Sequence, residues 1–193
     1  MKLEAKNFNY NTKIISEPAF DNHITLYNGY INKLNEIDDV LKQNPEEAKA
    51  NATYSHFRGL KVAETFALCG VILHELYFEN IGNTQTQPSQ ETINTLAKYF
   101  GDFTKWHKDF TACANSARGW VCLIYDQRTE SFRNIVLDAH NEGNIPHSYP
   151  VLALDMYEHA YFMDYGTDKA GYIATFMEYI NWDVVNRRLQ NLK

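Results

Sequence analysis

No apolar stretch in this chain approaches the ~18 residues that a membrane-spanning helix needs. The opening stretch, MKLEAKNFNYNTKII, also lacks the basic start and the apolar segment of about 7–15 residues that mark a secretory leader. A cytoplasmic protein with no membrane partner is expected. Cysteine is scarce: Cys69, Cys113 and Cys122 form an odd set with no C-x-x-C spacing, each among apolar or small neighbours. That argues against a disulfide framework and a thiolate metal site, and predicts buried, inert thiols. Basic runs are missing too. Lys and Arg number 18 against 24 acidic residues, and they are scattered, so nucleic acid and anionic membrane surfaces are excluded as expected partners, although a local basic funnel remains compatible with the acidic whole. There is no internal repeat and no low-complexity segment.

What is present is an ordinary globular composition with many aromatic rings. The 193 residues suffice for one large domain or two small ones, and 13 Tyr and 11 Phe predict an aromatic core or site lining. Ser16-Glu17-Pro18 reads as a helix start, with serine as N-cap. Phe20, Ile24, Tyr27, Ile31 and Leu34 follow at three- and four-residue steps, as one face of a helix requires. The Asn-Pro pair predicts a break near residue 45. A second, largely buried helix is predicted over about residues 54–80, ending where Gly82 and Asn83 supply a left-handed cap.

The polar run TQTQPSQE that follows is the best linker, which places a domain boundary at 87/88: a helical hairpin over 1–87 and an α/β domain over 88–193. Beyond it, Glu91 to Ala117 predicts one or two helices. Gly119–Tyr125 and Ser131–Val136 read as strands joined by a turn at Asp126–Thr129, and Pro150–Leu154 as a third short strand. Gly171 to Leu192 returns to helical spacing. The fold class is therefore α+β, helices first and then a mixed half with a three-stranded antiparallel sheet.

The sharpest chemical feature is Asp155-Met156-Tyr157-Glu158-His159, a carboxylate and an imidazole four residues apart that can face one point. Alone, this spacing equally describes a surface ion pair. Two more histidines, His23 and His74, sit in predicted helices among apolar neighbours, where a polar ring without a partner costs about 1–3 kcal/mol. Together the four residues offer three neutral imidazoles and one carboxylate, a set that suits iron or manganese better than structural zinc.

At this point a family resemblance becomes specific. H-E-L-Y-F-E-N at 74–80, G-W-V-C-L at 119–123, D-M-Y-E-H-A-Y at 155–161 and N-W-D-V-V at 181–185 resemble four successive signature blocks of the iron/manganese superoxide dismutases, in family order and at similar separations. The resemblance implies a helical hairpin followed by an α/β domain, a mononuclear iron or manganese ion on His23, His74, Asp155 and His159, and conversion of superoxide to dioxygen and hydrogen peroxide. The first ligand is ambiguous, because the family's first helix usually reads H-H-x-K-H-H-x-x-Y and the stretch from His23 to Tyr30 is one residue short. Counting back from Tyr30 selects Asn22, whereas counting forward from Ser16 selects His23. In regular helix seven residues bring His23 and Tyr30 to within about 20° of one face and eight leave about 80° between them, so His23 is the expected ligand and a one-residue π-bulge is expected to have been lost.

By the same resemblance Tyr30 closes the substrate channel, His140 orients solvent at the metal in place of the glutamine that Gly70 cannot supply, and Trp120, Phe78 and Tyr157 form the aromatic wall. The channel histidine falls near Leu26 or Tyr27 and its partner tyrosine on Phe162, so both are changed. Lys169 resembles a basic residue near the channel, and Glu158 one that crosses a dimer interface, which implies at least a homodimer. His56, His107 and His147 have no implied role. The residues around the ligands tune the potential, so the four ligands alone do not select the metal; iron is slightly favoured over manganese. A trivalent ion on this donor set keeps a net charge of about +2 and attracts an anion. Two alternatives stay open: a catalytically weak or metal-poor structural homologue of the same fold, and an oxygenase using two histidines and one carboxylate on iron.

Overall fold

The computed structural model describes residues 2–43 and 49–192. Two long helices, α1 (Glu17–Gln43) and α2 (His56–Asn80), form the first half. Ser16 starts α1 as predicted, its Oγ accepting from the Ala19 amide at 3.3 Å. Phe20, Tyr27, Ile31 and Leu34 are buried on one face of α1. That face meets α2 antiparallel, with Phe20 against Phe78, Tyr27 against Glu75 and Tyr30 against Phe66. The break expected near residue 45 lies outside the described residues. Among those residues, no helix is long and apolar enough to cross a membrane.

The end of α2 differs from expectation. Ile81 is extended (φ −84°, ψ 125°) and forms an isolated bridge with Ile180, and no left-handed glycine cap follows. Gly82 is needed for proximity: a Cβ there would stand 2.9 Å from the Tyr179 carbonyl oxygen, whose hydrogen bond the Gly82 amide donates to. The chain leaves the helix into a tertiary bridge, which supplies the partners that a cap otherwise provides.

The second half comprises α3 (Gln90–Phe100), α4 (Phe103–Ser116), β1 (Trp120–Asp126), β2 (Ser131–Leu137), β3 (Ser148–Asp155), α5 (Glu158–Tyr165), α6 (Lys169–Glu178) and α7 (Trp182–Gln190). Ser89 and Asp102 cap α3 and α4 by accepting from Thr92 and Lys105 amides. The three strands form an antiparallel sheet in the order β2-β1-β3, the three-stranded sheet expected from the strand-like stretches. β1 is central and buried along almost its whole length. β3 is an edge strand, which is why it tolerates Pro150 beside a register shift at Leu123/Ile124.

The helix expected over 171–192 is two helices. They part at Tyr179–Asn181, where Ile180 bridges to Ile81 and the Asn181 amide donates to the Asn80 carbonyl at 2.8 Å. Periodicity continues through such a joint, because both pieces bury the same kind of side chain; the backbone bond to another element breaks the helix. Helix α5 follows β3 directly and carries Glu158, Phe162 and Met163 on its exposed side.

Candidate metal centre

Four elements each bring one donor to a single point. His23 comes from α1, His74 from α2, Asp155 from the last position of β3 and His159 from the first turn of α5. Their ligand atoms all lie within 4.8 Å of one another. His23 Nε2 and His159 Nε2 each stand 3.1 Å from Asp155 Oδ2, and His74 Nε2 stands 3.8 Å from it. Asp155 and His74 are fully buried and His23 nearly so, at 1% exposure.

Local structure sets each orientation. Asp155 Oδ1 accepts the Tyr157 amide at 2.9 Å, an Asx turn that swings the chain from β3 into α5 and leaves Oδ2 free to face the histidines. The four-residue spacing of Asp155 and His159 thus brings the two to one point through a strand end and a turn. The Asp155 carbonyl accepts from the Tyr172 hydroxyl at 2.9 Å. His74 Nδ1 lies 2.6 Å from the Gly70 carbonyl, which can only accept, so Nδ1 carries the proton and Nε2 presents a lone pair. That Nε2 is buried with no hydrogen-bond partner.

The electrostatics call for a cation. Burial alone raises the Asp155 carboxyl, but hydrogen bonding to His159 and His23 outweighs it and holds the group well below the usual carboxylate range. Burial lowers the His23 imidazole against the opposing pull of Asp155, and takes His74 down to about 3. Neutral imidazoles around a buried carboxylate match what a metal requires of its ligands. Two donors that share an ion with bonds of about 2.0–2.2 Å stand no more than roughly 4.4 Å apart, and the separations from Asp155 Oδ2 meet that limit. The orphaned His74 Nε2 and the unpaired carboxylate charge both fit an iron or manganese ion.

Around the four donors lies a shell of rings. Tyr30 and Trp120 pack on His74 at 5.3 and 5.1 Å, Phe78 on His23 at 5.1 Å, and Tyr157 stacks on His159 at 5.3 Å. His140, on the loop after β2, is 1% exposed and joins two of them. Trp120 Nε1 donates to His140 Nδ1 at 2.8 Å, and His140 Nε2 lies 2.8 Å from the Tyr30 hydroxyl. The indole can only donate, so His140 Nδ1 accepts and Nε2 carries the proton. Burial lowers His140 to about 4, which keeps it neutral near pH 7. Gly70 makes room for this pair: a Cβ there would meet Tyr30 Cγ at 3.2 Å and His140 Cδ2 at 3.3 Å.

A profile of the iron/manganese superoxide dismutases, C-terminal domain, matches residues 88–188. The chain belongs to the iron/manganese superoxide dismutase family. An iron superoxide dismutase of Aquifex aeolicus is 41% identical over 179 residues, covering 90% of this chain and 82% of the relative. Superoxide dismutase [Mn] 1 of Halobacterium salinarum is 33% identical over 169 residues, covering 87% and 82%. Iron and manganese names thus both occur among relatives of this dismutase-family chain.

In this family member α1 is α-helical throughout, with no π-turn. His23 points into the donor group while Asn22 stays exposed beside Met163. Of the two channel positions, Leu26 is exposed and Tyr27 fully buried, its hydroxyl donating to Glu75 at 2.9 Å. Phe162 is 51% exposed. Lys169 Nζ donates to the Asn115 and Ala117 carbonyls at the end of α4, and with Arg118, Tyr157 and Tyr161 it lines a hollow beside His159. His56, His107 and His147 do not join the group. Of the cysteines only Cys122 is buried; Cys69 and Cys113 are half-buried, because their helix positions face the rim of the core. Sequence reading missed Tyr172 and Tyr77, which support Asp155 from behind, and their only signal was an aromatic at a buried helical position.

Proposed function

We propose that this protein is a superoxide dismutase whose ion is held by His23, His74, Asp155 and His159. The observation that carries the reading is the convergence of three imidazole Nε2 atoms on Asp155 Oδ2, with His74 Nε2 buried and unpartnered. His23, His74, Asp155 and His159 would hold an iron or manganese ion, which would supply one-electron chemistry between its trivalent and divalent states, so that two superoxide anions and two protons would give dioxygen and hydrogen peroxide.

The protein's own part is to admit an anion and deliver protons. His140 donates its Nε2 proton to the Tyr30 oxygen, so the Tyr30 O–H is free to donate into the site. Burial, with a smaller contribution from the Asp155 charge, raises the Tyr30 phenol, which keeps its proton near neutral pH. Arg118 and Lys169 beside His159 provide local positive potential on a chain with net charge −6. Iron is the preferred metal in this reading, in line with the 41% identity to an iron relative against 33% to a manganese one. A homodimer through the exposed side of α5 accounts for Glu158 and for the exposed apolar pair Phe162 and Met163.

The test is superoxide removal by demetallated protein reloaded separately with iron and with manganese, with His23→Ala as control. Fast removal with iron, lost in the control, is the expected result. Metal uptake without removal would favour an inactive homologue of the same fold.

A further inference from the structure

Residues 2–15 form no regular structure, yet they are held along the helical hairpin at successive points. Lys2 pairs with Asp39 at 3.2 Å, and Leu3 exchanges two backbone hydrogen bonds with the Asn35 amide at 2.8 and 2.9 Å. The Lys6 amide donates to the Tyr27 hydroxyl at 3.0 Å, and Tyr10 packs on Phe20 at 5.8 Å. As arm numbers rise, partner numbers fall, so the arm runs antiparallel to α1 as a strap. At its far end the Thr12 hydroxyl and the Lys13 amide bond to the Gly82 carbonyl, just past α2.

The middle of the strap lies over the ligand-bearing segments. Lys6 Nζ pairs with Glu75 at 2.5 Å, and Glu75 also accepts the Tyr27 hydroxyl at 2.9 Å. Glu75 is the neighbour of His74, and Tyr27 is one turn beyond His23. Phe8 packs on Tyr27 and Phe78 at 5.8 and 5.1 Å, and Phe78 in turn packs on both His23 and His74, at 5.1 and 6.1 Å. One arm segment therefore engages α1 and α2 together, directly behind their two histidines.

We infer that the strap, through Phe8 and the Lys6–Tyr27–Glu75 cluster, is a positioning element that sets the separation of His23 and His74 and so the geometry and retention of the ion. The inference rests on the metal-binding reading above. Phe8 closes the rear of Phe78 against water, and the hydroxyl of Tyr27 ties α1 to α2 at the level of the ligands. Neither residue reaches the donor atoms, so both act through the rings between. Residues that orient ligands from outside the donor set change metal affinity by about 10–100-fold when removed.

Cobalt(II) is the probe, because its visible absorption reports donor number and arrangement independently of turnover. Demetallated wild type, Phe8→Ala, Phe8→Leu, Tyr27→Phe and a His74→Ala control are titrated with Co2+ and then challenged with EDTA. Wild type is expected to develop a saturable band that the control lacks. Phe8→Ala and Tyr27→Phe are expected to show an altered band and release the metal about tenfold faster or more, with Phe8→Leu restoring both. Tyr27→Phe loses one oxygen from a ring that keeps its packing, so it decides the question even where Phe8→Ala does not fold. Band and release rate equal to wild type in Tyr27→Phe would overturn the strap's role and leave the metal reading standing. A wild type with no band beyond the control would overturn the metal reading and the strap's role with it.

Discussion

His140 Nε2 stands 2.8 Å from the Tyr30 hydroxyl, although 110 residues separate them in the chain. Because Trp120 occupies the other ring nitrogen as a donor, the direction of this hydrogen bond is decided: histidine gives and tyrosine receives. The Tyr30 proton is therefore not used in this bond and is free to be donated elsewhere. Tyr30→Phe is expected to leave metal content unchanged and to slow turnover about tenfold, about 1.4 kcal/mol of barrier for one proton donor. Stopped-flow superoxide decay on protein of known metal content checks this, and an unchanged rate would remove Tyr30 from the proton path.

Asp155 is the one anionic donor of the group. Asp155→Asn keeps the shape and the Tyr157 amide bond but removes the charge that the three imidazoles surround. If each of four ligands carries roughly a quarter of a typical apparent metal-binding energy, the loss is on the order of 3 kcal/mol, a factor of about 100 in affinity. Metal content after dialysis against a buffered chelator reads this out directly.

Gly70 and His140 compete for the same space. Gly70→Ala is expected to cost about 1–3 kcal/mol of stability, since its Cβ meets two rings at 3.2 and 3.3 Å. The cost should shrink in a His140→Ala background, where one of the rings is gone. A double-mutant cycle by urea unfolding gives the coupling, and strict additivity would mean that the two positions do not share the space.

Stability of the demetallated protein should fall with acid. Burial lowers His23, takes His74 to about 3 and His140 to about 4, whereas each titrates near 6.5 when unfolded. Between those values the unfolded chain binds more protons, so stability rises with pH. The contribution is complete above about pH 6.5 and is lost as pH falls toward 4; Asp155, held below its ordinary 3.8, continues the loss at still lower pH. Urea midpoints at pH 5.0, 6.0 and 7.5 test this, with a shallower fall expected in His140→Gln. Equal midpoints across the range would contradict it.

The thiols differ by burial. Cys122 is buried in β1 and pushed up to about 12, while half-buried Cys69 and Cys113 are also raised by burial. A maleimide titration of native protein at pH 8 is expected to leave Cys122 unlabelled and to label the other two slowly, faster as pH rises through the thiolate range. Labelling of Cys122 before denaturation would show that β1 opens.

Much of this protein was legible from local pattern alone. Apolar spacing fixes the faces of α1 and α2, since a helix can bury only residues that recur every three or four positions. Apolar runs and turn residues mark the three strands, and the motif blocks carry the family and three of the four donors, His74, Asp155 and His159. Tertiary structure decided what local pattern cannot contain. The split of the last helix at Ile180 comes from a bridge to Ile81, a partner 99 residues away. Helical spacing to Tyr30 already favours His23 over Asn22, but only the packing of α1 on β3 and α5 brings His23 to Asp155, at 3.1 Å. The proton direction between His140 and Tyr30 depends on Trp120, on a strand neither of them belongs to. Backbone propensity acts over one turn of chain, whereas a metal centre, a hydrogen-bond direction and a strap all arise where segments distant in sequence are packed to within a few ångströms.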